Sequence, residues 1–119
     1  MAYEIPGFVL GTLLAGDDLS SAQYRFVVGT AGDLIGVCGS AAQPLGVLQN
    51  APEEGEVCQI MTSGVSKVIC DDTVAEFGQI EVGTSGGADT LASGFSVGMA
   101  LEAGVVNQII SVRLGDYGK

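Results

Sequence analysis

The groups in this chain that can do chemistry are carboxylates and thiols. Three adjacent acid pairs, Asp17-Asp18, Glu53-Glu54 and Asp71-Asp72, are candidates for acid–base or cation chemistry. Cys38, Cys58 and Cys70 are candidates for nucleophilic, redox or metal chemistry. The chain has no histidine, which excludes Ser-His-Asp and Cys-His nucleophile systems and His-type metal sites. Neighbouring residues on a strand project to opposite faces, so an adjacent acid pair does not converge on one substrate. All three pairs lie in turn-like sequence, where solvated carboxylates are the expectation, and neither Asp17-Asp18 nor Asp71-Asp72 has the spaced oxygens of a calcium loop. Three dispersed cysteines without a Cys-x-x-Cys spacing suit neither a four-thiolate zinc site nor thioredoxin-type exchange. The glycine-rich run Gly83 to Gly87 lacks the Gly-Lys-Ser/Thr ending and following helix of a phosphate loop, and reads as a mobile hairpin tip. The expectation is a protein that is not an enzyme and has no metal site and no cofactor.

The bulk properties point the same way. A chain of 119 residues with 47% apolar content suggests one folded domain with a real core. Only 15% of residues are charged, well under the usual quarter or so. Such a surface is either covered by other copies or a partner, or is rich in Ser, Thr, Gln and Gly. The net charge is −10, and the four cations Arg25, Lys67, Arg113 and Lys119 are scattered. Nucleic-acid binding needs clustered Lys and Arg to displace counterions, and an anionic membrane surface repels this chain, so neither partner is expected. Docking to a basic patch is compatible. The start, Met1 to Pro6, has no basic n-region or apolar h-region, so no signal peptide is expected. The odd cysteine count then suggests reduced thiols in a cytosolic product. The longest uncharged stretch, 34 to 52, contains Gly, Ser, Gln, Asn and Pro and makes a poor membrane helix.

The elements that must position these residues read as strands. Strands are expected at 8–14, 22–28, 34–38, 45–48, 56–61, 65–70, 79–82 and 105–114, with a short segment at 90–93. Glycine-containing turns separate them, residues 1–7 form an arm punctuated by Pro6-Gly7, and 115–119 form a tail. No segment holds a 3.6-residue apolar period over three turns, so the fold class is all-β, a small barrel or sandwich. Residues 8–119 form its single domain. Thr62-Ser63-Gly64 predicts a three-residue hairpin loop, with Gly64 in the left-handed region. That register pairs Met61 with Val65, Gln59 with Lys67 and Val57 with Ile69. It sets Cys58 against Val68 and Cys70 against Glu56, so the two thiols are diagonal. Buried, unbonded cysteines are expected rather than a disulfide.

Two stretches share one grammar. Leu45 to Pro52 followed by Gly55 to Met61 matches Val97 to Gly104 followed by Asn107 to Leu114, with Gly46 aligned on Gly98 and Ala51 on Ala103. Each is a short apolar strand, a small-residue turn and a longer strand. The match shows similar strand use and does not by itself establish a duplication.

The order of Gly46 to Leu48, Gly55-Glu56, Gly64-Val65, Gly86-Gly87, Gly98 to Glu102 and Val112 to Leu114 resembles the capsid decoration, or cement, proteins of tailed bacteriophages, over about residues 8–115. The resemblance implies a small β-tulip-like barrel or sandwich that trimerises and binds the major capsid protein near three-fold positions on the outer face of the head. There it resists the pressure of packaged DNA. It implies a protein made in the host cytoplasm and located on the virion. It also implies an N-terminal arm that touches the shell, with Tyr3, Ile5 and Pro6 as apolar anchors; a frayed terminus is the other reading of that arm. The competing expectations are another virion β-module, such as a head spike or tail fibre component, and a carbohydrate-binding module using Tyr3, Tyr24 or Tyr117.

Overall fold

A computed structural model describes residues 2, 4–7, 9–92 and 94–118. It is all-β, with no helix among the described residues. The strands are β1 (Ile5–Pro6), β2 (Val9–Ala15), β3 (Phe26–Gly29), β4 (Leu34–Val37), β5 (Gly46–Leu48), β6 (Val57–Met61), β7 (Gly64–Ile69), β8 (Gln79–Val82), β9 (Ala88–Thr90), β10 (Ser96–Ala100) and β11 (Ile109–Gly118). Strands β2-β4-β3-β5-β6 close into a barrel, and the rest form a sheet ordered β1-β7-β11-β10-β8-β9.

That sheet repeats the strand order of the barrel and is drawn towards closure by a single bridge between its edges. In the first copy β5 and β6 pair Val47 with Met61 and Leu48 with Ile60. In the second, β10 and β11 pair Met99 with Arg113 and Ala100 with Val112, each residue 52 positions on (Val47 to Met99). β2 pairs Leu14 with Val57, and β7 pairs Ile69 with Ile109. β3 pairs Val27 with Val37, and β8 pairs Ile80 with Thr90. The parallel contact of Ala15 with Ile35 closes the first barrel, and a parallel bridge between Cys70 and Ala88 stands in the same place in the second. The repeated grammar of the sequence is therefore the last third of a structural duplication.

Each barrel has an interior of matched residues. Ala15, Leu19, Val27, Ile35, Leu48, Cys58 and Ile60 fill the first. Cys70, Val74, Ile80, Ala88, Ala100, Ile110 and Val112 fill the second. The outer face of the first barrel is different. Phe26, Val47 and Met61 point away from its interior, yet they are buried in one cluster with Val97 and Leu114 of the second unit. Their counterparts, Gln79, Met99 and Arg113, are exposed, half-buried and exposed. The first barrel thus docks its apolar outer face on the second unit, and on the matching face of that unit Gln79 and Arg113 stand where the first has Phe26 and Met61, as apolar area left in water would be unfavourable.

Several local expectations change. No hairpin joins β6 to β7. β6 pairs with β2 and β5, and β7 with β1 and β11, so Thr62-Ser63 carries the chain from one barrel to the other. Gly64 is in the left-handed region at φ 101°, but what it admits is β1: a Cβ there would meet Gly7 N and Ile5 O. The strand expected from Ala22 begins only at Phe26, because Tyr24 takes φ 66° inside a turn. Val105 to Gln108 are a turn, and β11 instead runs on through the expected tail to Gly118, which pairs with Ser96. Ile5–Pro6 of the arm lies as an edge strand beside Val65 and Gly64.

Candidate functional site

The acid pairs do not form a site. Asp17 and Asp18 order their own turn, receiving the N–H of Asp18 at 2.8 Å and of Ser20 at 3.0 Å. The Ser20 side-chain and backbone hydrogen bonds hold the Asp18 carboxyl below its ordinary value. Glu56 accepts the Glu53 N–H at 2.7 Å, and Asp72 accepts that of Thr73 at 2.7 Å. Asp71 departs from the solvated expectation. Its side chain is 10% exposed, and it accepts Arg25 Nη1 at 3.2 Å, Ser85 N at 2.8 Å and Gly87 N at 2.9 Å. Arg25 Nη1 also donates to Ser85 O at 2.9 Å. The Gly83–Gly87 segment is consequently not a loose tip: it is strapped to β3 of the other barrel, where Phe26 N donates to Gly86 O at 2.6 Å. Among the described residues, no three His, Cys, Asp or Glu side chains gather as metal ligands.

The three cysteines are buried and free of disulfides, as expected for core thiols. Burial pushes all three thiols up, and Cys70, which also faces the charges of Asp71 and Glu102, reaches about 11. A folded-state value above the unfolded one means that the unfolded chain ionises first. The stabilisation is then complete below the unfolded value near 9 and is lost as pH rises towards about 11. The melting temperature should fall across that window, less steeply in Cys70→Ala. A thiol reagent at neutral pH should label none of the three until the protein unfolds; rapid labelling of the native protein would contradict the buried placement.

The concave features are small. A crevice of about 90 Å³ between the barrels is lined by Phe26, Pro44, Leu45, Ser96 and Leu114 among others. The Ser96 hydroxyl is buried there without a hydrogen-bond partner. A shallow groove of about 230 Å³ runs beside Leu13, Thr30 and Leu34. Neither offers a sugar a ring to stack on, since Phe26 is buried in the seam. Tyr24 is half-buried, with Lys67 Nζ 5.9 Å from its ring centre. Of the expected anchors, Ile5 is 59% exposed on the outer edge strand, while Tyr3 and the side chain of Pro6 lie outside the described residues.

Exposed apolar side chains lie on both units: Val9, Leu34, Val37 and Val57 on the first, and Phe77 at 63%, Val105 at 57% and Val106 at 52% on the second. Phe77 takes φ 62°, matching Tyr24 of the first copy. Reading Val105 and Val106 as strand hid them. The signal for them was the alignment of the repeats, which sets this Val-Val against Glu53-Glu54.

The described residues define an all-β class: a closed barrel joined to a six-stranded sheet that repeats its strand order. The sequence matches no protein-family model and no curated protein. Among solved structures, the chain is similar to the N base of the head fiber gp8.5 in bacteriophage phi29, with a TM-score of 0.75, 16% identity, and coverage of 91% of this chain and 95% of that one. At that identity the likeness is one of fold, and the capsid-decoration family resembled by the sequence is not established by it.

Proposed function

We propose that this protein is a structural component of a tailed-phage virion, attached to the outer surface of the head as a non-enzymatic decoration protein. The observation that carries the reading is the fold shared along nearly the whole of both chains with a phage head fiber base. The order of turn glycines, reached independently from the sequence, resembles phage decoration proteins. The partners are the major capsid protein and further copies of the chain, as a trimer near three-fold positions, where repeated modest contacts add by multivalency and oppose DNA pressure. Tyr3, Ile5 and Pro6 are assigned to the shell contact; the edge position of β1 and the exposure of Ile5 support this. With a net charge of −10, the protein is assigned neither nucleic acid nor membrane as a partner.

A second reading, the base of a head fibre, is favoured by the likeness in fold to the N base of the phi29 head fiber. One experiment separates the two. Added to heads lacking it, the protein should bind saturably in a pelleting assay under either reading. A cement protein also raises the temperature at which the heads disrupt, whereas a fibre base leaves it unchanged. No binding at low or moderate salt removes both readings.

A further inference from the structure

We infer that the end of the first barrel around Leu14, Leu34 and Val57 is a docking surface, and that its occupant is a protein whose own apolar patch is bordered by Lys and Arg side chains. The inference rests on the head attachment in the proposed function, and it adds the face that docks and the chemistry that face selects.

The apolar part follows from register. Leu14 of β2 pairs with Leu34 of β4 on one side and with Val57 of β6 on the other. Neighbouring strands lie about 4.8 Å apart, so the three side chains form one stripe across three strands. They are 37%, 41% and 47% exposed. Their chain neighbours Ala15, Ile35 and Cys58 turn inward and are buried, so barrel closure leaves the outward set uncovered. The second unit covers the outer face of β6 at Met61 and leaves it open at Val57. Val9, paired with Met61 on the same outward face as Leu14, is 43% exposed, so β2 extends the surface back towards the arm. Apolar residues scattered singly need no partner, but a contiguous stripe marks a contact.

The charge comes from the turns that close this end. Leu14 N donates to Asp33 O at 3.0 Å, Ala15 N to Glu56 O at 2.8 Å and Leu19 N to Pro52 O at 2.9 Å. These bonds gather the turns at 16–20, 30–33 and 51–56 around the stripe. The turns bring Asp17, Asp18, Asp33, Glu53, Glu54 and Glu56, all exposed: six of the chain's 14 acidic residues, and none of its four cations. Cations facing this rim are attracted, and an acidic surface is repelled. A second copy fits poorly, because it carries −10, its Arg25 is engaged by Asp71, and its Lys67 sits over the Tyr24 ring. An interface of ordinary size needs roughly 800 Å² per partner, so the stripe is its centre and the turns are its polar rim.

The duplication supplies a contrast. Cys70 and Ala88 stand where Ala15 and Ile35 do, so Ile69 and Gly87 replace Leu14 and Leu34. Ile69 is half-buried, and Gly87 is buried in the strap to Asp71. Val105, Val106 and Gln108 replace Glu53, Glu54 and Glu56. The same end of the second unit has neither the three-strand stripe nor the acidic rim.

Pelleting with heads that lack the chain tests this through the dissociation constant. Leu34→Thr with Val57→Thr removes the stripe and keeps β-branched residues on the strands. Asp33→Asn with Glu53→Gln and Glu54→Gln removes three charges and leaves the turn bonds of Asp18 and Glu56 in place. Val105→Thr with Val106→Thr is the control in the second unit. L34T/V57T should raise the dissociation constant about a hundredfold at an unchanged melting temperature. The charge variant should raise it about tenfold at low salt and match the wild type at about 0.5 M salt. V105T/V106T should bind as the wild type does. Unchanged binding by L34T/V57T, an equal loss in V105T/V106T, or tighter binding by the charge variant overturns the inference alone. A fall in solution mass of L34T/V57T without loss of head binding makes a second copy the occupant and also overturns it. A wild type that binds no heads removes the virion reading, and the inference falls with it.

Discussion

Asp71→Ala should lower the melting temperature by roughly 15 °C, the equivalent of about 4 kcal/mol. Removing this carboxylate leaves the Arg25 guanidinium, 21% exposed, without its anion, and it orphans the N–H groups of Ser85 and Gly87. Breaking one side of a mostly buried pair costs more than the pair contributes, because the remaining charge stays desolvated. The damage is not local to the second barrel. Arg25 belongs to the segment leading into β3, so the strap holds the two barrels together alongside the Phe26, Val47 and Met61 seam. Asp71→Asn, which keeps an acceptor but no charge, should fall between. Asp72→Ala, whose carboxylate caps only Thr73, should stay within about 0.5 kcal/mol of wild type. Thermal unfolding followed by circular dichroism measures all three. Equal effects for Asp71→Ala and Asp72→Ala would contradict the strap.

Gly46→Ala and Gly98→Ala should each cost about 3 kcal/mol, near 10 °C in melting temperature. A Cβ at Gly46 would fall on the Met61 carbonyl oxygen, 3.0 Å from its carbon. A Cβ at Gly98 would lie 2.5 Å from Arg113 O and 3.0 Å from Val112 Cγ1. Backbone cannot yield as a flexible side chain can, so each strand pair must move apart or shift register. The two glycines occupy equivalent places in the β5–β6 and β10–β11 pairs, so the duplication requires comparable penalties. By contrast Gly11, where an added Cβ meets nothing within 4 Å, should tolerate alanine. A neutral Gly46→Ala beside a damaging Gly98→Ala would contradict the equivalence.

These sites also mark how far the sequence could be read. The strand content and the glycine turns were legible, since apolar runs bounded by Gly and Asp are local signals. So was the pairing of Gly46 with Gly98. The extent of the duplication was not, because its spacing drifts. Ala15 corresponds to Cys70, Ile35 to Ala88 and Val47 to Met99, so offsets of 55, 53 and 52 blur any single alignment. The 61–65 hairpin failed for a different reason. A left-handed glycine between two apolar runs is a strong local cue, but β6 finds its partner in β2, far back in the chain, and closure of a barrel outweighs the nearby turn. Asp71 was invisible for the same reason, its partner Arg25 lying 46 residues away. Turn position correctly marked Asp17-Asp18 as local carboxylates, yet the same reasoning missed a strap formed only by tertiary contact.

The surface followed a similar course. Apolar residues at 105 and 106 read as the start of a long strand because hydrophobicity alone does not separate a buried strand from an exposed turn. The equivalent turn of the first copy carries Glu53 and Glu54 at these positions, with the matching side-chain hydrogen bond.

The central claim is attachment to the phage head, and electron microscopy of the assembled virion addresses it most directly. Reconstruction of particles with and without this chain should show difference density on the outer face of the head, sized for pairs of small barrels. Difference density on the tail, or none on the head, would contradict the claim.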